Sequence, residues 1–286
     1  MSQIMACIDG SSASPAVCDY AAWAASRTGA PLSLLHVLDR KQFPSEKNFT
    51  GRISLGGSQK LLEEMAELDA RRSRMALEQG RLMLEAAQQR VAETGFSLST
   101  TRQRHGDLVD TLAGMESEIR ILVMGRQGEE GEEGDSVGAQ IGNNVERVIR
   151  TLHKPILLAP ASFRSPQRIL LAYDGSETTR KGLALIAGSP LFQGLDCHLV
   201  TVGEDNPRNR NLLEEATNPL RGAGLAVQAS LLHGNVETAL RSYQRDNDID
   251  MIVMGAFGHS ALRQFFVGST TSSLLRHADV PLLISR

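Results

Sequence analysis

Short apolar runs alternate along this chain with amphipathic stretches, and the alternation is clearest in its second half. RILLAYD (168–174) is an apolar run that ends in a turn, and SETTRKGLALIAGS (176–189) has helical spacing with Ser176 as its N-cap. LDCHLVTV (195–202) predicts the next strand, NRNLLEEATNPLRGAG (209–224) a polar helix and LAVQASLLH (225–233) another strand. Asn235 caps a predicted helix VETALRSYQRDND (236–248); strand IDMIVMG (249–255), a glycine loop, helix GSTTSSLLRHA (268–278) and strand VPLLIS (280–285) complete the unit. Strands separated by helices predict parallel sheets covered on both faces. Such sheets take ligands at the carboxyl ends of their strands, where Asp174 and the 255–269 loop fall.

The first half repeats this order. IMACIDG (4–10) matches ILLAYDG (169–175) at an offset of 165, and LLHVLD (34–39) matches LVTVGE (199–204) at the same offset. RHGD (104–107) then matches LHGN (232–235) at 128, ILVMGRQG (121–128) matches MIVMGAFG (251–258) at 130, and HKPILL (153–158) matches DVPLLI (279–284) at 126. The falling offset places about 37 extra residues between the second and third blocks of the first copy. The expected domains are 1–162 and 163–286, joined near APASFRSPQ (159–167), with a helical insertion at about 40–94 in the first. Within the insertion, residues 58–94 are strong helix formers. Leu61, Met65, Leu68, Met75, Leu82 and Ala86 fall on one stripe interrupted by Arg72 and Gln79, which suits packing on the sheet or on a partner helix.

Length and composition narrow the function. The 286 residues suffice for two cores, and 41% hydrophobic with 22% charged residues is ordinary for a folded protein. A net charge of −3 supplies no basic field for nucleic acid or an anionic membrane, and no apolar run reaches the ~18 residues of a membrane helix. Cys7, Cys18 and Cys197 form no CxxC pair and sit in apolar stretches, so they read as reduced core thiols in a cytoplasmic protein.

The chemistry concentrates in the segment from Met254 to Thr271. Gly255 and Gly258 allow backbone to approach a ligand closely. A helix starting at Gly268-Ser269-Thr270-Thr271 offers free N–H groups and three hydroxyls, enough to hold phosphate oxygens without a lysine. The helix-end field contributes only about 0.3–1 kcal/mol, so several contacts must act together. The same residues also suit an ordinary strand-to-helix turn.

Gly255-x2-Gly258-x9-Gly268-Ser269 resembles the G-x2-G-x9-G-(S/T) nucleotide signature of the universal stress protein family, and the repeat blocks around it match that family too. The resemblance spans both repeats and leaves out the long insertion. It implies an α/β fold of two tandem five-stranded parallel-sheet domains, adenine nucleotide alpha hydrolase-like and Rossmann-like, paired through their last strands, with a homodimer left open. It also implies ATP, ADP or AMP as ligand. Gly255, Gly258, Gly268, Ser269 and Thr270 would then line ribose and phosphates, with Thr271 beside them. Asp174 would lie near the phosphates or their Mg, and Val202 and Met254 near adenine. His259 is within reach of a phosphate and equally suits a solvated loop. His105 and His233 recur at matching positions and read as structural.

In the first copy the loop differs. Thirteen residues separate Gly128 from Gly142, Asn143 replaces the hydroxyl residue, and Glu129, Glu130, Glu132, Glu133 and Asp135 have only Arg126 to balance them. Five carboxylates ~10 Å from a triphosphate oppose binding by roughly 2 kcal/mol after screening. The first domain is therefore expected to be degenerate for nucleotide. The chain has no GxxxxGK(S/T), GxGxxG or HExxH motif, and no catalytic residue is assigned. Three readings stay open: a nucleotide-binding stress regulator, a scaffold or apolar-ligand protein with a vestigial loop, and a slow ATPase. The protein partner is not specified by the sequence.

Overall fold

A computed structural model describes residues 2–38, 58–97, 99–126, 143–256 and 278–286. The first half contributes strands β1 (Gln3–Cys7), β2 (Leu32–Leu38), β3 (Ser99–His105), β4 (Ile119–Gly125) and β5 (Ile156–Ala159). The second contributes β6 (Arg168–Ala172), β7 (Asp196–Val202), β8 (Ala226–Leu232), β9 (Met251–Gly255) and β10 (Leu282–Ser285). Each repeated block of sequence therefore lies on, or ends, the matching strand of the other half.

All ten strands form one continuous sheet in the order β3-β2-β1-β4-β5-β10-β9-β6-β7-β8. The pairings within each half are parallel, while β5 and β10 run antiparallel with Leu157 opposite Leu283. The sheet is thus mixed, and the two repeats share it edge to edge. Nearly every central residue is buried, as strands covered on both faces require: Ile4, Met5, Leu122, Val123, Leu170, Leu171, Val253 and Leu283 have no exposed surface.

Helices α1 (Ser14–Thr28), α2 (Ser58–Glu93), α5 (Glu177–Gly188) and α6 (Pro207–Gly222) contribute to one core, which runs from Ile4 through Leu283 across both halves. Helices α3 (Leu108–Gly114), α4 (Asn143–Thr151) and α7 (Val236–Asp246) pack on the opposite face, around Leu112, Ile149, Leu240 and Ile252. The caps follow the sequence: Ser176 accepts from Thr179 N at 3.4 Å and Asn235 from Thr238 N at 3.2 Å. Asp107 caps α3 through Val109 N and Asp110 N and also meets Arg147 at 2.9 Å. Although burial pushes the other way, that guanidinium and the two N–H groups hold its carboxyl below the usual value.

The halves are pinned beyond the β5–β10 ladder. Asp250, 3% exposed, accepts from Gln167 N (3.0 Å) and Arg168 N (3.1 Å) and pairs with Arg164 at 3.1 Å. Tyr20 of α1 donates to Arg164 O and packs edge-on against Phe163, with ring centroids 4.7 Å apart. Arg27 donates to Leu191 O at 2.6 Å and to Gln193 O. The connecting segment is therefore tied to both repeats.

Helix α2 does not lay the predicted stripe on the sheet. Its buried positions are Ala76, Gly80, Leu84, Ala87 and Val91, whereas Met65, Leu68, Met75 and Leu82 of the predicted stripe are 36–64% exposed. Gly80 is bare on the protein-facing side because side chains fill the space beside it: a Cβ there would fall 2.3 Å from Gln103 Nε2 and 2.7 Å from His36 Cδ2. The large side chains therefore mark the face turned away from the domain. The side chain of Leu61 lies outside the described ones.

Candidate functional site

The carboxyl ends of β6, β7 and β9 converge on the turn that starts α5. Gly175 has φ 74°, a left-handed conformation that suits glycine and turns the chain sharply after Asp174. Asp174 Oδ1 accepts from Ser176 N at 2.9 Å and from Thr179 Oγ1 at 2.8 Å, so the carboxylate organises the turn that it caps. The residue is nevertheless exposed at the strand end. Ser176 Oγ lies 3.2 Å from Thr178 Oγ1 and 3.1 Å from Thr179 Oγ1, which places three hydroxyls along the start of the helix.

Gly255, the last residue of β9, touches this turn. A Cβ built on it would fall 2.3 Å from Thr178 Oγ1, 2.9 Å from Thr178 Cβ and 3.3 Å from Thr179 Cγ2. The absent side chain lets strand and helix meet, and this requirement holds whether or not a ligand binds. Ser285 Oγ bridges the same junction, donating to Thr178 O at 2.8 Å and lying 3.3 Å from Met254 O. Asp174 and Gly255, 81 positions apart, are thus brought together through Thr178 and Thr179.

Met254 is 5% exposed and belongs to the core under α7, and Val202 is half-buried against the same cluster. Both lie at strand carboxyl ends, packed as core residues. Gly258, His259, Gly268, Ser269, Thr270 and Thr271 lie outside the described residues, as do the predicted helix starting at Gly268 and the acidic run Glu129–Asp135. Among the described residues no group of three or more His, Cys, Asp or Glu could hold a metal ion. Asp174 is one carboxylate with an oxygen already engaged, so it fits a Mg ion only as one arriving on phosphate oxygens.

The first half reproduces the turn. Asp9 Oδ1 accepts from Ser11 N (3.1 Å), Ser11 Oγ (2.7 Å) and Ser14 Oγ (3.1 Å), and Gly10 has φ 81°. A Cβ on Gly10 would fall 2.5 Å from Met83 Sδ of α2; on Gly175 it would fall 2.7 Å from Leu212 Cδ1 of α6. The last turns of α2 therefore stand where α6 stands in the second half. His36, on β2, does the work of Thr201: its Nδ1 meets Ile8 O at 2.7 Å, as Thr201 Oγ1 meets Tyr173 O at 2.8 Å. No sequence signal marks this buried histidine, since an apolar strand interrupted by polar residues such as Ser33 and His36 reads as a half-exposed edge. Arg126, the one base beside the acidic run, donates to Ala278 O across the junction between halves, and burial lowers its pKa.

His105 ends β3, and His233 follows β8 at the matching place; both are exposed. Cys7, Cys18 and Cys197 are buried and free. Burial pushes each thiol up to about 12, helped by Asp9 at Cys7 and by Asp19 at Cys18. No helix among the described residues is long and apolar enough to cross a membrane.

The universal stress protein family model matches residues 1–160 and again 166–286. The universal stress protein Slr1230 of Synechocystis is 35% identical over 290 residues, covering 100% of both chains. The chain belongs to the universal stress protein family. A single-repeat relative from Thermus aquaticus, named for its place beside a QAH/OAS sulfhydrylase gene, is 28% identical over 133 residues, 41% of this chain and 97% of its own. Among solved structures, a universal stress protein from Archaeoglobus fulgidus superposes with a TM-score of 0.72 at 18% identity, covering 99% of this chain and 98% of its own. A putative member from Pseudomonas aeruginosa gives 0.60 at 14% identity, over 99% and 92%. These likenesses extend the whole two-repeat fold, not only one half, to other members.

Proposed function

We propose that this tandem universal stress protein binds ATP, or ADP or AMP, in its second domain and acts as a stress-response regulator. The proposal divides the chain into domains 1–162 and 163–286, each Rossmann-like, with the ligand at the carboxyl ends of β6, β7 and β9. The observation that carries it is the junction of Asp174 with Gly255: the loop bearing Gly258, Gly268 and Ser269 continues from the strand end that touches the Asp174 turn. In this reading bare N–H groups and the hydroxyls of Ser269, Thr270 and Thr271 take the phosphates. Asp174 faces a phosphate-borne Mg, Val202 and Met254 border the adenine, and His259 reaches a phosphate. Family membership and the glycine spacing support the ligand class; the buried, neutral thiols suit a reducing cytoplasm.

The test is to denature the purified protein and identify what it releases by mass spectrometry. An adenine nucleotide should come off the native chain and be missing from Gly268→Glu, whose carboxylate would occupy the phosphate position. A Gly268→Glu protein that retains nucleotide would move the site elsewhere.

A further inference from the structure

Of the seven large hydrophobic residues exposed among the described ones, five lie on α2: Met65, Leu68, Met75, Leu77 and Leu82. The helix has 36 residues against 16 in α6, and its surplus lies at its N-terminal end, because the last turns of both helices cover equivalent glycines. Every residue from 64 to 75 is exposed. Among the described residues, no core lies beneath this half of the helix. Helical segments of about 12–15 residues are marginal in water unless an apolar face is covered.

The exposed residues are ordered. Met65, Leu68, Arg72, Met75, Gln79, Leu82 and Ala86 recur at alternating spacings of three and four, the seam of a coiled coil, on a flank distinct from the buried Ala76, Gly80, Ala87 and Val91. A parallel partner with the same sequence would set Arg72 against the partner's Arg72 and Glu64 beside the partner's Asp69. An antiparallel copy can avoid this. With Met65 against the partner's Leu82, Leu68 against the partner's Gln79 and Arg72 against the partner's Met75, each polar seam residue meets an apolar one. That register brings Arg71 beside the partner's Glu78 twice, by symmetry. Sliding by one heptad so that Met65 meets the partner's Met75 instead sets Arg71 against the partner's Arg71. The unfavourable end contact of Glu64 with the partner's Glu85 is offset in part, because Arg81 pairs with Glu85 as well as with Glu78 in its own helix. The same register lays the unsupported half of each α2 along the anchored half of the other.

We propose that α2 is a dimerisation helix, and that its exposed seam pairs antiparallel with α2 of a second copy of this chain. The test is sedimentation velocity on the full chain from about 1 to 100 µM, with circular dichroism to confirm that helix content is kept. The native chain should sediment at twice its 31.0 kDa mass. Leu68→Glu with Met75→Glu should sediment as a monomer, and Arg72→Leu should tighten the dimer by about tenfold by removing a polar seam residue. Arg71→Glu should weaken it, and Arg71→Glu with Glu78→Arg should restore it. A native chain that stays monomeric across the range overturns the proposal. So does a dimer untouched by Leu68→Glu with Met75→Glu, which would place the contact elsewhere.

Discussion

Replacing Gly255 by alanine separates a packing role from a ligand role at the end of β9. The new methyl would stand 2.3 Å from Thr178 Oγ1 and 2.9 Å from Thr178 Cβ. Ordinary contacts begin near 3.4 Å, so the hydroxyl must move by about 1 Å and the Cβ by about 0.5 Å. The hydroxyl can rotate away; the Cβ moves only with the α5 backbone. That backbone carries the Thr179 bond to Asp174 and the Ser285 bond to Thr178 O. Overpacking of this kind costs about 1–3 kcal/mol, a fall in Tm on the order of 2–8 °C. Urea denaturation of Gly255→Ala without added nucleotide reads it directly. Thr178→Gly removes both clashing atoms, so the double variant should recover part of the loss despite about 0.5–1 kcal/mol for a helical glycine. If Gly255→Ala matches the native chain in stability and only its nucleotide affinity drops, the packing argument fails and the ligand alone dictates the glycine.

Two further expectations concern the junction and the amino ends of the second half's strands. Asp250→Ala leaves the N–H groups of Gln167 and Arg168 without their carboxylate and should lower stability by about 1–3 kcal/mol; Arg164→Ala removes the ion pair but leaves the buried carboxylate its two N–H donors, and should cost less. His198 is 8% exposed, with Nδ1 3.0 Å from Tyr243 Oη, and burial lowers its pKa, with Arg168 acting the same way and Asp196 opposing. The folded state then disfavours the imidazolium. Stability is complete above the unfolded value of about 6.5 and is lost as pH falls through it. Denaturation midpoints of the native chain should therefore drop more between pH 7 and 5 than those of His198→Gln, and parallel profiles would refute this.

Much of the architecture is legible in the sequence because strands buried on both faces must be apolar throughout, and the short apolar runs repeat in the same order in both halves. The Asp9 and Asp174 turns and the caps at Ser176 and Asn235 are local chemistry, written within a few residues. What the sequence hid depends on which distant side chains fill the space beside a residue. Gly80 and Gly255 are bare because His36, Gln103 and Thr178 fill the space beside them, which no window of sequence reveals. The core face of α2 was hidden for the same reason. Close approach selects Ala76, Gly80 and Ala87, so the bulkier Leu68, Met75 and Leu82 drew attention to the opposite flank. At the site, the turn residues could be read from pattern, while the contact between Asp174's turn and Gly255 required the fold.

Calorimetric titration of the nucleotide-free protein with ATP and Mg tests the central claim most directly. One nucleotide per chain, abolished in Gly268→Glu and unaffected by changes to the Asp9 turn, is the predicted result. No heat at about millimolar ATP, or two equivalents per chain, would contradict a single site in the second domain.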